Sequence, residues 1–351
     1  MVDLVSNDRY AQLLYNTVTR HLLFIAHWEL TYRCNLSCRH CYINHNNTQA
    51  EFSLAEAKSV LDELAKMNCL FLVLSGGEIF IREDFFEIAS YARKKDFVLR
   101  LMTNGTLLDK EVCLRIKELS PFSVEMSIYS SEASFHDAVT GVSGSWAKVL
   151  KAAELLRGYK IGVVFKFILM KDNLRFFAST RRLVNSLGCD FVFDFGLAPC
   201  DDGSFAPLEF RLGKSELKDF FKDNDIPLKS NPELDNIMCR AGLNNILISP
   251  SLDIFPCVGL RIKLGNLRHS SLRYIWEKSE GLNFLRNLKR DNFPQCKDCR
   301  RLSFCYRCPG LAYTEARDFF AASPFDCMVA EAVEEVVQER QVQEDGTGQK
   351  S

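Results

Sequence analysis

Short apolar runs recur along the first half of the chain, at residues 21–30, 70–74, 97–102, 122–128, 161–170 and 191–195. Each is bounded by turn-forming or charged positions, which predicts six buried strands. The intervening stretches 54–67, 84–95, 109–119, 145–158 and 173–187 mix polar and apolar positions as amphipathic helices do. Ser53 with Glu56 three residues later forms a capping box ahead of the first, and Gly158 and Gly188 stand where helices stop. Strands alternating with helices imply crossover connections and parallel pairing. Six such units fall short of a closed eight-unit barrel. The expected architecture is therefore α/β, a partial (β/α)6 barrel with its chemistry at the C-terminal ends of the strands.

The repeat stops near Phe195. Residues 1–20 read as a lead-in, 21–197 as the barrel, and 198–235 as a loop-rich bridge with one short helix around 214–221. Residues 236–330 read as a small cysteine-rich domain that opens on a hairpin, 246–256, turning at Pro250 and Ser251. Residues 331–351 are acidic and are expected to fray from a helix into a disordered tail.

The formal net charge of -1 gives no electrostatic reason to seek nucleic acid or an anionic membrane surface. No stretch is long and apolar enough to span a bilayer, and no signal-peptide pattern opens the chain, so a cytoplasmic location is expected. Cysteine changes the picture more. In a chain of 351 residues that can bury a full core, 14 cysteines point to metal rather than to disulfides. Three lie close together (Cys34, Cys38, Cys41), and seven fall in the last third (Cys239, Cys257, Cys296, Cys299, Cys305, Cys308, Cys327). Cys69, Cys113 and Cys189 read as small buried hydrophobes. Cys200 follows the sixth strand.

The first group has Cys-x3-Cys-x2-Cys spacing and directly follows the first strand. Three thiolates in one loop suit a four-iron cluster with one iron left open; a zinc knuckle borrowing His40 or His45 is the alternative. The second strand runs into Ser75-Gly76-Gly77-Glu78, where glycines admit a close ligand and the carboxylate can pair with an ammonium group. Over residues 22–195 this pairing of motifs resembles the radical S-adenosylmethionine (SAM) superfamily. The resemblance implies a [4Fe–4S] cluster on Cys34, Cys38 and Cys41, and S-adenosyl-L-methionine on the open iron with its amine at Gly76, Gly77 and Glu78. It also implies a 5′-deoxyadenosyl radical that takes hydrogen from a substrate. Thr103-Asn104-Gly105-Thr106 and Ser127-Ile128-Tyr129-Ser130 resemble segments near the cofactor. Ser127 is the expected ribose contact, or else satisfies local backbone. His40 stands where an aromatic residue commonly packs near the adenine. Lys166 and Asp194 are expected either to face the reaction cavity or to be paired structurally.

The two Cys-x2-Cys pairs at 296/299 and 305/308 would alone suit a zinc ribbon. Beside the first group, residues 236–328 resemble a SPASM domain, which implies one or two auxiliary iron–sulfur clusters. By that resemblance Cys296, Cys299, Cys305 and Cys327 hold one cluster, and Cys239, Cys257 and Cys308 the other. An eighth ligand would come from Glu233, Asp235 or Cys200, or be absent. Leu252 replaces a glycine of the family pattern, so an altered hairpin turn is expected. The stretch from Glu125 through Ser145 is most similar to maturases of ribosomally made peptides. This implies a peptide or protein substrate, an electron donor such as flavodoxin or ferredoxin, and leader recognition by a separate protein or by the enzyme's own surface. A small-molecule substrate such as a haem precursor is the alternative. A zinc-stabilised interaction module without catalysis is the reading from another class.

Overall fold

Each apolar run becomes one strand of a single sheet. The computed structural model describes residues 8–44, 49–224, 239–305 and 307–347. Strands β1 (Ile25–Thr31), β2 (Phe71–Gly76), β3 (Val98–Thr103), β4 (Ser123–Ser127), β5 (Val163–Ile168) and β6 (Asp190–Asp194) pair in parallel, each with its neighbour in sequence. Helix α1 (Asp8–Thr19) precedes them. Helices α2 (Leu54–Lys66), α3 (Phe85–Lys94), α4 (Lys110–Leu119), α5 (Ala133–Thr140), α6 (Ser145–Gly158) and α7 (Phe177–Ser186) fill the crossovers. The capping box forms: the Ser53 main-chain N–H donates to Glu56 (2.7 Å) and the Glu56 N–H to Ser53 Oγ (3.3 Å). Helix α5 has no side-chain cap and only eight residues, too few to carry a clear apolar stripe, so the sequence pattern does not reveal it.

Strand alternation sorts the residues into two faces. Ala26, Trp28, Leu72, Leu74, Leu99, Leu101, Val124, Met126, Phe165 and Phe167 belong to one continuous buried core, packed against the helices. Cys69, Cys113 and Cys189 lie in that core too. The intervening positions, among them His27, Glu29, Ser75, Arg100, Glu125, Ser127 and Lys166, share the opposite, inner face. A core-facing set this apolar fixes strand register, because a slip of one residue would bury the polar set.

The C-terminal third differs from expectation in two ways. The predicted hairpin forms from β7 (Asn245–Ile248) and β8 (Asp253–Phe255), but it is not a separate sheet. Strand β7 pairs in parallel with β1, Trp28 opposite Ile248, and β9 (Gly265–Asn266) follows β8. The result is one nine-stranded sheet, edged by β6 and β9. Helix α8 (Lys214–Asp223) lies in the bridge; α9 (Leu272–Lys278), α10 (Glu280–Arg286), α11 (Pro309–Ala316) and α12 (Pro324–Thr347) complete the fold. Residues 331–347 of the expected helix and tail continue α12, which packs on α8, while 348–351 lie outside the described residues. Val333 and Val336 are buried, and Lys214, Lys218 and Lys222 pair in a ladder with Glu331, Glu335 and Glu339. A run of acids reads as solvated in the sequence; the matching run of lysines lies a hundred residues earlier and cannot be seen from one end.

Leu252 occupies the hairpin turn with φ 65° and its side chain 2% exposed. The left-handed conformation costs a branched side chain about 1–2 kcal/mol, and burial of the isobutyl group offsets it. Leu252→Gly should relieve the strain but remove the buried side chain, whose loss costs about 2–5 kcal/mol. A net loss of roughly 1–3 kcal/mol in denaturant unfolding is expected, and a more stable variant would refute this balance.

Candidate active site

The ends of β1 and β2 are stitched together by main chain. The Gly77 N–H donates to the Thr31 carbonyl (2.8 Å) and the Glu78 N–H to that of Arg33 (2.9 Å). A Cβ on Gly76 (φ 131°) would lie 2.2 Å from the Thr31 carbonyl oxygen, and one on Gly77 would lie 2.3 Å from that of Arg33. What approaches these glycines here is the chain's own cysteine loop. From the other side the end of α5 holds the loop: Ser37 N–H donates to Thr140 O (2.9 Å) and Arg39 N–H to Val139 O (3.1 Å). Asp137 in turn caps the start of α6 through the Gly144 and Trp146 N–H groups and the Ser145 hydroxyl. The stretch that resembles peptide maturases is thus in part a cradle for this loop.

Cys34, Cys38 and Cys41 are half-buried and face one another closely enough to raise each other's pKa. Burial pushes Cys38 up to about 12 and Cys41 up to about 11. Donors aimed at sulfur work the other way: the Leu36 and Asn35 N–H groups at Cys34, that of Ile43 at Cys41, and the Tyr129 hydroxyl at Cys38. The Asn104 amide donates to Cys34 Sγ (3.7 Å) and to Asn35 Oδ1 (2.8 Å). Such a set of thiols needs cationic metal before it ionises, and its N–H donors suit thiolate sulfur. Among the described residues no group of three or more His, Cys, Asp or Glu converges on a point where one metal ion could sit. A four-iron cluster needs no such convergence, since each thiolate binds its own iron.

The C-terminal cysteines form two neighbourhoods. Cys239, Cys257 and Cys308 lie within one another's field and line a cavity of about 400 Å³, with Leu260, Leu285, Arg286 and Gly310 around them. Burial pushes Cys257 up to about 12 and Cys308 to about 11. Cys327 neighbours Cys296 and Cys299, and Cys305 neighbours Cys327 and Cys296. Both donor sets and the cavity fit clusters. Glu233, Asp235 and His45 lie outside the described residues. Cys200 lies against the first loop. Its thiol faces the Cys41 carbonyl (3.5 Å), and the next residue clasps the first loop, the Asp201 N–H on Tyr42 O (2.8 Å) and the Asn44 N–H on Asp201 Oδ1 (2.7 Å). Cys200 therefore sits beside the first cysteine loop, a placement that sequence distance could not foresee. Cys200→Ala should leave auxiliary iron content and spectra unchanged; a loss of auxiliary signal would contradict this placement.

Two family profiles match the chain: the radical SAM superfamily over residues 28–176, and an iron–sulfur cluster-binding domain, SPASM, over 239–300. The chain belongs to the radical SAM superfamily. It is an enzyme with a SPASM region. Its cofactors are a [4Fe–4S] cluster, S-adenosylmethionine and auxiliary iron–sulfur clusters. The reading as a non-catalytic zinc module falls with this. Two relatives span most of this radical SAM enzyme. The AdoMet-dependent heme synthase of Methanosarcina barkeri is 28% identical over 330 residues, covering 85% of this chain and 94% of the relative. The mycofactocin maturase MftC of Mycobacterium tuberculosis is 28% identical over 324 residues, covering 85% and 80%. Streptococcus suis SuiB, solved with S-adenosylmethionine, shares the fold with a TM-score of 0.70 at 14% identity, over 93% of this chain and 84% of that one. No helix among the described residues is long and apolar enough to cross a membrane.

At the strand ends of the radical SAM barrel, Glu78 is wholly buried. Its carboxylate accepts from the Thr103 hydroxyl (2.8 Å) and from the Asn104 (2.7 Å) and Phe80 (3.2 Å) main chain. Burial raises it to about 7. His40 packs edge-on against Tyr129, centroids 4.8 Å apart, and burial lowers it to about 4. Tyr129 also hydrogen-bonds Ser127 and Cys38. Sequence alone does not distinguish it, because a tyrosine at a strand end reads as core. Deeper on the inner face, Glu125 is 1% exposed and pairs with Arg100 and Lys166, each at 2.5 Å. Lys166 is thus both inward-facing and paired. Asp194 lies on the same face of β6, accepting from Gly196 N–H (2.8 Å). A second network, unmarked in the sequence, joins the first strand and cysteine loop to the C-terminal third. Glu29 accepts from Tyr32 (3.0 Å), Tyr42 (2.8 Å) and Arg261 (2.7 Å). Beside them His27 contacts Ser75 Oγ (2.5 Å) and is driven down to about 3 by burial, so it is neutral at physiological pH.

Proposed function

We propose that this enzyme abstracts hydrogen from a peptide or protein and so installs a post-translational modification. In this reading Cys34, Cys38 and Cys41 hold the catalytic cluster. Gly76, Gly77 and Glu78 meet the amine of S-adenosylmethionine, Ser127 its ribose, and His40 its adenine side. Cys239, Cys257, Cys296, Cys299, Cys305, Cys308 and Cys327 hold the auxiliary clusters. When bound, the cluster and S-adenosylmethionine supply a carbon radical able to break a substrate C–H bond. The chain's own residues do the rest. Glu78, raised by burial, ionises against an incoming ammonium group and anchors it. The Glu29 network ties the residue after Cys41 to Arg261 and keeps the wall of the cavity rigid.

The observation that carries the peptide reading is the open edge. Strand β6 ends the sheet with Asp190 and Asp194 exposed and its middle half-exposed. A chain segment can enter such a cavity sideways. The likeness to a mycofactocin maturase supports the same reading. A second reading, a carboxylate-bearing small molecule such as a haem precursor, draws on another observation. Two cations, Arg100 and Lys166, share the single carboxylate of Glu125 on the inner face, an excess that suits an incoming carboxylate, and the heme synthase relative agrees. Anaerobic turnover with dithionite, followed by mass spectrometry, separates them. Encoded candidate peptides should change mass in step with 5′-deoxyadenosine release. A mass change confined to an iron porphyrin offered in parallel would sink the peptide reading.

A further inference from the structure

We propose that Arg307 is the counter-charge of the auxiliary cluster held by Cys239, Cys257 and Cys308, and that it raises the reduction potential of that cluster. The proposal rests on the assignment of those cysteines as cluster ligands. Arg307 lies between Cys305 and Cys308, and only 5% of it is exposed. Its Nη2 donates to the carbonyls of Phe319 (2.8 Å) and Ala321 (2.7 Å), and its guanidinium lies 3.6 Å from the centroid of the Phe293 ring. These three contacts fix the plane of the group. Its Nε and Nη1 are buried and have no hydrogen-bond partner among the described residues.

Among the described residues no carboxylate lies within ion-pair distance of Arg307, whereas the buried Arg82 and the partly buried Arg211 and Arg261 each have at least one. A guanidinium cannot escape by losing its proton, and a buried cation without an anion is strongly unfavourable. The site is therefore built for a negative partner. The thiolates are at hand. The guanidinium is close enough to oppose the effect of burial on Cys239, and the main-chain N–H of Arg307 faces Cys305 of the other set. Arg286, whose Nη2 is also buried without a partner among the described residues, lines the cavity of the three cysteines. A thiolate-ligated cluster is anionic and gains negative charge on reduction. A fixed neighbouring cation favours the reduced state, and N–H donors toward sulfur act in the same direction.

The test uses the full chain with Cys34, Cys38 and Cys41 changed to Ala, so that only auxiliary clusters respond, in a redox titration followed by EPR. Arg307→Leu should retain iron and shift the reduced-to-oxidised ratio of one cluster about tenfold toward oxidised at fixed poise, about 59 mV for a one-electron couple. Arg307→Lys, which keeps the charge, should stay within about threefold of the parent, about 28 mV. An unmoved potential in Arg307→Leu, or a Lys variant that moves as far as Leu, overturns the proposal. If Arg307→Leu loses iron, Arg307→Gln takes its place under the same criterion. The ligand assignment is tested separately: Cys239, Cys257 and Cys308 changed together to Ala should lose one auxiliary signal. An unchanged signal there refutes the assignment itself, before any potential is read.

Discussion

Replacing Cys34, Cys38 and Cys41 together by Ala is expected to abolish formation of 5′-deoxyadenosine from S-adenosylmethionine while leaving the C-terminal iron in place. The fold should survive the change. The loop is held by main-chain bonds from Gly77, Glu78, Ser37 and Arg39, none of which uses a cysteine side chain. Each lost thiol is small and not fully buried, so the packing cost is small beside the chemical one. The two auxiliary neighbourhoods are built from other elements, α11, α12 and the segment after β8, and share no cysteine with the loop. Chromatography of the nucleoside product and iron determination on one sample give both halves of the result. Continued nucleoside formation would remove the loop from its assigned role. Loss of all iron would show that the sites assemble as one.

Gly77→Ala should be nearly as damaging, for a purely steric reason. The new methyl group would lie 2.3 Å from the Arg33 carbonyl oxygen and 2.7 Å from its carbon. Both are backbone atoms at the base of the cysteine loop, so no side-chain rotation relieves the contact. Either β2 or the loop must shift, breaking the bonds from Gly77 and Glu78 to Thr31 and Arg33. The expected cost is about 3 kcal/mol, with loss of the catalytic iron and retention of auxiliary iron. Gly158→Ala provides the control: its Cβ would meet nothing within 4 Å, and near-parent stability is expected. Thermal unfolding of the two variants side by side, with iron analysis, decides the matter. Equal stability would mean that the close approach at Gly77 is not a constraint.

The six parallel strands, the helices between them and both cysteine groups are legible in the sequence because each is a local pattern. Periodicity, a capping box and close cysteine spacing all lie within a few residues. What escapes is non-local. Nothing near Asn245 announces that β7 will lie beside β1. Nothing near Cys200 says that its loop returns to Tyr42. The lysines of α8 and the glutamates of α12 make sense only as a pair. The inner face escapes for another reason. Glu29, Glu125 and Arg261 are charged residues inside or beside apolar runs, and sequence alone cannot say whether such a residue breaks a strand or lines a cavity. Leu252 departs from a glycine pattern, and only its burial explains how the turn tolerates it.

The pairing of β1 with β7 also sets an order of events at the ribosome. Ile25 must wait for Asn245. Until that segment emerges, the nascent barrel exposes β1 as a bare edge, with unpaired N–H and carbonyl groups along an apolar strand. Such edges recruit other strands, and pairings this distant in sequence form slowly. A chain cut before residue 239 should therefore aggregate rather than yield a soluble half-enzyme. The cysteine-rich segment is then the piece that covers the β1 edge, and the first cysteine loop, seated at the end of β1, reaches its final surroundings only after the segment Asn245–Ile248 has been made.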